Sequence, residues 1–153
     1  MIIKEMTNKD LDEVLKIEND VFCDPWPKKF FYDDLNNDVS KYFVLIDEER
    51  IIGYFGLWFM FENADLVNIA IDKDHQGQGL GEKLLRHAIC VCINKEVEFL
   101  HLEVRPNNLK AKSLYEKFGF EPVRVRRNYY SDGQDCIDMV KGLVGLSEKD
   151  FSD

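Results

Sequence analysis

The sequence predicts an α/β fold, with a single sheet layer and helices on both of its faces. Three observations predict it. Apolar residues recur at helical spacing in some segments and at strand spacing in others. These segments follow one another in the order ααβββαβαββ, with helices and strands interleaved along the chain. The length of 153 residues suits one domain and buries roughly 68–70% of the unfolded surface.

Each element has a local cause. Thr7 with Asp10 resembles a capping box, opening a helix that carries Leu11, Val14, Leu15, Ile17 and Val21 on roughly one face. Asp24-Pro25-Trp26-Pro27 stops it, and a short helix with Phe30, Phe31 and Leu35 at helical spacing follows. Tyr42–Ile46 and Arg50–Met60 are apolar, β-branched or aromatic, and read as an antiparallel hairpin. Their connection, Asp47-Glu48-Glu49, lacks the Asn-Gly turn signal. Leu66–Ile71 extends this meander. After a glycine-rich turn, a helix carries Leu80, Leu84, Leu85, Ala88 and Ile89 inward. Phe99–Val104 reads as a strand and Asn108–Phe118 as a helix, with Gly119 as its C-terminal stop. Val123–Tyr130 and Cys136–Val140 form a last strand pair around Asp132-Gly133, and the polar Ser147–Asp153 is expected to fray.

Composition excludes several function classes. With 20 Lys+Arg against 29 Asp+Glu the net charge is −9, which repels phosphate backbones and disfavours nucleic acid as a partner. A basic protein tail suits such a surface better. Cys23, Cys90, Cys92 and Cys136 lack zinc spacing, and His75, His87 and His101 are scattered, so no metal is expected. The thiols read as reduced and mostly buried. Charged residues follow Met1–Met6 at once, leaving no signal-peptide core. The longest apolar run, Ile51–Phe61, falls short of the ~20 residues of a membrane span, so a cytoplasmic protein with no membrane partner is expected.

The chemistry-bearing features begin with Gln76-Gly77-Gln78-Gly79-Leu80-Gly81, where a strand passes into a helix. Glycines admit a ligand close to the backbone, and a helix N-terminus offers unbonded N–H groups to phosphate. From this loop alone an ordinary turn reads equally well. Gly81 precedes Glu82-Lys83, so the Gly-Lys-Ser/Thr of a P-loop is absent, and G-x-G-x-G is not the dinucleotide spacing. Along Phe99–Arg105 the side chains alternate: Leu100, Leu102 and Val104 point one way, and Phe99, His101, Glu103 and Arg105 the other. A carboxylate in a strand covered by helices is costly unless paired or used. On pattern alone, pairing with Arg105 or exposure near the strand end is the better account of Glu103. Tyr115 shares a helix face with Asn108, Ala111 and Phe118, a spacing that core residues also show.

Together these segments are more specific than any one of them. Gln76-Gly77-Gln78-Gly79-Leu80-Gly81 has the form Q-x-x-G-x-G and resembles the acyl-CoA pyrophosphate loop of the GNAT N-acetyltransferase superfamily. Leu102-Glu103-Val104-Arg105-Pro106-Asn107-Asn108, Ala111, Leu114-Tyr115 and Gly119-Phe120 resemble its ribosomal-protein-alanine N-acetyltransferase branch. Asp24-Pro25-Trp26 and Arg126-Arg127-Asn128-Tyr129-Tyr130 extend the resemblance to about residues 2–140.

The resemblance implies the GNAT acyl-CoA N-acyltransferase fold, with a central mixed, mostly antiparallel sheet. It implies one domain over residues 1–153, with a C-terminal tail from about residue 141. Acetyl-CoA would be the co-substrate, lined by Ile69, Ala70, Ile71, Gln76, Gly77, Gln78, Gly79, Leu80, Gly81, Glu82 and Asn108. Glu103 would be the general base and Tyr115 the general acid for direct attack by an amine. The acceptor would be the N-terminal alanine of a small-subunit ribosomal protein, presented on a basic tail. Two positions depart from the pattern: Gln134-Asp135-Cys136 keeps one member of an acidic pair, and Pro27 stands where relatives carry Ser or Thr. Both lie on the expected peptide side. A GNAT enzyme acting on another amine (a lysine side chain, a small amine or an antibiotic), a non-catalytic acyl-CoA sensor and an assembly module remain alternatives. Glu18, Asp20, Asp24, Asp33 and Asp34 flank the Trp26 loop. They would attract a basic tail, although a solvated acidic helix surface accounts for most of them.

Overall fold

The order read from the sequence holds, with one strand added at the start. A computed structural model describes residues 1–151. In chain order its elements are β1 (Ile2–Glu5), α1 (Leu11–Val21), α2 (Lys28–Leu35), β2 (Ser40–Asp47), β3 (Arg50–Met60) and β4 (Asn63–Ile71). Then come α3 (Leu80–Asn94), β5 (Phe99–Val104), α4 (Leu109–Lys117), β6 (Glu121–Arg126) and β7 (Cys136–Gly142). The seven strands form one sheet in the order β1-β2-β3-β4-β5-β7-β6. Every neighbouring pair is antiparallel except β4 with β5. The added strand β1 lies on the sheet edge, where most of its residues are exposed and leave no core pattern to read.

Strand alternation sends side chains into two separate cores. On one face Leu11, Val14 and Ile17 of α1 and Phe31 of α2 pack with Tyr42, Val44 and Tyr54. On the other, Leu84, Leu85, Ala88 and Ile89 of α3 pack with Phe43, Leu45, Phe55 and Leu57. Each large side chain buried this way contributes about 1.5–3 kcal/mol. Gly56 is required by this packing, since a Cβ there would lie 2.3 Å from the ring of Tyr42.

The sheet opens at its centre. β4 pairs with β5 only from Asn63–Leu66 to Phe99–Leu102, although both strands continue beyond. A bulge leaves Val67 without a Cα partner on β3, between the Leu57–Leu66 and Gly56–Asn68 pairs. Such a bulge bends its strand, and beyond it β4 diverges from β5. The Asp72 N–H donates to the Ile52 carbonyl of β3. By alternation Ala70 also directs its backbone groups to β3, whereas Ile69 and Ile71 direct theirs toward the opening.

Several local expectations are corrected. The β2–β3 hairpin turns on Glu48 and Glu49 alone, both with positive φ (49° and 66°). The strand expected to reach Tyr130 ends at Arg126, because Asn128 adopts a left-handed φ of 53° and leaves the ladder. The C-terminal segment is not frayed within the described residues. β7 runs to Gly142, Leu143 is buried, and a capped 3₁₀ turn spans Glu148–Asp150. Leu146 and Phe151 pack against the core; the expectation for residues 152–153 lies outside the described residues. Cys92 and Cys136 are buried, but Cys23 is exposed and Cys90 half-buried, so the thiols are not mostly buried. No helix is long and apolar enough to cross a membrane, among the described residues.

Candidate active site

The opening between β4 and β5 forms part of a cavity of about 1170 Å³. Its lining brings together four of the expected site residues: Ile69 of β4, Glu103 of β5, and Asn108 and Tyr115 at α4. Asn108 also caps α4, accepting a hydrogen bond from the Ala111 N–H at 3.3 Å. Ala70 stands apart, with its backbone turned to β3 and its side chain buried in the α1–α2 core.

The glycine turn does not line this cavity but lies beside it. Gly77 and Gly79 have φ of 82° and 77°, and nothing lies within 4 Å of where a Cβ would be. Gly79 is the N-cap of α3, and the Lys83 N–H bonds back to its carbonyl. The N–H groups of Leu80, Gly81 and Glu82 therefore precede the helical ladder and face outward, a geometry suited to phosphate oxygens. Gln76 pins the end of β4, donating to the Ile71 carbonyl at 3.0 Å. Helix α4 links turn and cavity: Lys117 reaches the Glu82 carboxylate at 3.0 Å while Tyr115 lines the cavity. The Lys117 hydrogen bond, with that of Arg86, holds the Glu82 carboxyl below its ordinary range and offsets its negative charge beside a phosphate site. This open, N–H-rich turn next to an open strand edge fits acetyl-CoA.

Glu103 is partly exposed at the cavity rather than covered by helices, and it is not paired with Arg105. Its Oε1 accepts the Tyr129 hydroxyl at 3.1 Å, and Arg126 Nη1 lies 3.8 Å from Oε2. Arg105 instead reaches Asp132 at 2.8 Å and Gln134 at 3.2 Å, and stacks over the Tyr130 ring at 3.9 Å. Burial pushes the Tyr115 hydroxyl up to about 12. Tyr129 also rises to about 12, from burial and its hydrogen bond to Glu103. Both phenols keep their protons at neutral pH.

The ligand atoms of Glu103, Cys136 and Asp138 lie within 4.8 Å of one another, the spacing of a metal site. Arg124 and Arg126 occupy that position electrostatically, each donating to Asp138 Oδ2 at 2.8 Å. Burial alone would raise the Asp138 carboxyl, but the two guanidiniums outweigh it and hold the group below its ordinary value. Two resident cations oppose a third.

Across the cavity one wall is formed by Trp26 and Trp58, whose rings stack at 6.3 Å. Two acidic residues expected on a solvated surface are buried here. Asp34 accepts the Trp58 indole N–H at 2.7 Å and the Tyr42 hydroxyl at 2.6 Å. Glu18 bonds the Trp26 N–H, Tyr54 and Asn68. The sequence marks Tyr129 only as part of the Arg126–Tyr130 motif and Asn68 only as part of the expected cofactor strand, and no local signal marks Trp58 or the contacts of the other two. Tyr129 meets Glu103 across 26 residues, and Asn68 meets Glu18 across 50.

Comparison with known proteins agrees with this geometry. The profile of the family described as Acetyltransferase (GNAT) matches residues 11–120. The chain belongs to the GNAT acetyltransferase family. It is an N-acetyltransferase using acetyl-CoA, with the mixed, mostly antiparallel sheet that the family resemblance implied. A Bacillus subtilis (strain 168) protein, provisionally named a [ribosomal protein bS18]-alanine N-acetyltransferase, is 40% identical over 139 residues, covering 90% of this chain and 92% of its own. The [ribosomal protein bS18]-alanine N-acetyltransferase of Escherichia coli (strain K12) is 37% identical over 142 residues, covering 90% and 94%. The crystal structure of the ribosomal-protein-S18-alanine N-acetyltransferase from Escherichia coli superposes with a TM-score of 0.87 at 35% identity, covering 92% of each chain.

Proposed function

We propose that this GNAT enzyme acetylates the α-amino group of the N-terminal alanine of ribosomal protein bS18, in the cytoplasm. The observation that carries the reading is one cavity holding Glu103 and Tyr115 beside the open edge of β4. The names of relatives 37% and 40% identical, aligned over 90% of this chain, support the acceptor.

Bound acetyl-CoA supplies the acetyl group as a thioester. An N-terminal amine has an ordinary pKa of about 7.7–8.0, so its deprotonation near neutral pH costs little, whereas a lysine amine near 10.4 demands more. Glu103 accepts that proton, directly or through a water, with its carboxylate oriented by Tyr129 and Arg126. The neutral amine attacks without a covalent enzyme intermediate. The backbone N–H groups of Ile69 and Ile71, turned to the opening, offer hydrogen bonds to developing negative charge. Tyr115 holds its proton until a departing thiolate takes it. Holding both reactants in one cavity replaces an encounter with an effectively intramolecular step.

A CoA-release assay with paired peptides tests the reading. A peptide beginning with alanine should release CoA, and the same peptide with a blocked N-terminus should not. Equal release from a blocked peptide carrying an internal lysine would assign the enzyme to another amine. Tight acetyl-CoA binding without release from any amine would make the chain a sensor.

A further inference from the structure

Glu18 is a carboxylate that the transfer chemistry does not use, yet it is 2% exposed. Among the described residues it makes no ion pair; its partners are three neutral donors. The Trp26 N–H donates to Oε2 at 2.9 Å, Asn68 Nδ2 donates to Oε1 at 2.8 Å, and the Tyr54 hydroxyl also donates to Oε1. A buried charge is expensive, and an apolar residue would fill the same space at lower cost. What the carboxylate adds is the meeting of its donors, which come from three different elements.

Those elements are the two halves of the candidate site. Trp26 lies in the α1–α2 connection and packs on Phe30, Phe31 and Trp58, forming the acceptor-side wall. Asn68 lies on β4, one residue beyond the bulge at Val67 and one before Ile69, where the strand leaves β5. Tyr54 lies on β3 beneath both. Glu18 itself lines the cavity at their junction.

We infer that Glu18 is a positioning residue, joining the acceptor wall to the open strand so that the amine and the acetyl group are held in register. The inference rests on the acetyl-transfer reading above. Glu18 touches neither reacting atom; it acts through the Trp26 backbone and the Asn68 side chain. Losing one charge-assisted hydrogen bond changes an equilibrium by about tenfold or more.

Glu18→Gln tests this with two readouts. The glutamine keeps the shape but replaces one acceptor oxygen with an amino group, so it cannot satisfy all three donors. Trp26 and Trp58 are the chain's two tryptophans, so intrinsic fluorescence reports the acceptor wall directly. The expected result is a red-shifted emission and an acceptor KM raised about tenfold, with acetyl-CoA affinity within about twofold of wild type. Unchanged emission and an acceptor KM within twofold would overturn the inference, even if Tm falls, because packing alone would then be Glu18's role. Should Glu18→Gln fail to fold, Asn68→Ala removes one arm from a half-buried position and must raise the acceptor KM severalfold; an unchanged KM there overturns it equally. If wild-type enzyme acetylates no N-terminal amine, the acceptor assignment fails, while the fluorescence of Glu18→Gln still decides whether Glu18 holds the wall.

Discussion

At the scale of single residues, the proposed mechanism divides proton transfer between an exposed carboxylate, Glu103, and a buried phenol, Tyr115. Their environments suit those roles: Glu103 reaches solvent and accepts from Tyr129, while burial keeps Tyr115 protonated up to about pH 12. Glu103→Gln should lower turnover by about 10²-fold or more and leave acetyl-CoA affinity nearly unchanged. Tyr115→Phe should lower turnover by a similar factor with Tm preserved, since the ring contact with Phe120 remains. Steady-state kinetics beside calorimetry and thermal melts check both. Normal turnover in either variant would remove that residue from the mechanism, and a collapsed Tm with normal residual turnover would make Tyr115 a core residue only. Both residues are legible in the sequence because each lies in a short segment that carries the family resemblance, Leu102–Asn108 and Leu114-Tyr115. The long-range contacts of Tyr129 and Glu18 are not legible there: Tyr129 meets Glu103 across 26 residues, and Glu18 meets Tyr54 and Asn68 across 36 and 50, a range at which periodicity carries no information.

Among the elements, what local periodicity encodes was legible and what the tertiary structure imposes was not. All four helices were found where apolar residues repeat at helical spacing, and β5 alternates between buried and more exposed residues along its length, as read. The bulge at Val67, beyond which β4 leaves β5, has no glycine or proline on β4 itself to mark it; Gly56 faces it from β3. The β2–β3 turn is a similar case. Its two glutamates occupy the left-handed region, which costs a residue with a side chain roughly 1–2 kcal/mol each, and the long flanking strands impose it. Replacing Glu48-Glu49 with Asn-Gly should therefore stabilise the protein by about 1–2 kcal/mol, or roughly 2–8 °C in Tm at this chain length. Thermal unfolding followed by circular dichroism measures it, and an unchanged or lowered Tm would refute the strain assigned to this turn. The hairpin lies away from the cavity, so turnover should not change.

For the molecule as a whole, the net charge of −9 acquires a more limited meaning than the sequence suggested. Glu18 and Asp34 are spent inside the fold, bonded to Trp26 and Trp58, and Asp138 is neutralised by Arg124 and Arg126. Asp20, Asp24 and Asp33 remain exposed near the Trp26 loop, and these are the groups that can draw in a basic tail. In the proposed function, sheet, helices and cavity together place an N-terminal amine between Glu103 and Tyr115. The most direct test is to incubate the enzyme with acetyl-CoA and intact ribosomal protein bS18, then locate the acetyl group by fragmentation mass spectrometry. The expected product carries acetyl on the α-nitrogen of the N-terminal alanine and on no lysine. Acetyl found on lysine side chains, or no transfer to this protein at all, would contradict the proposed function.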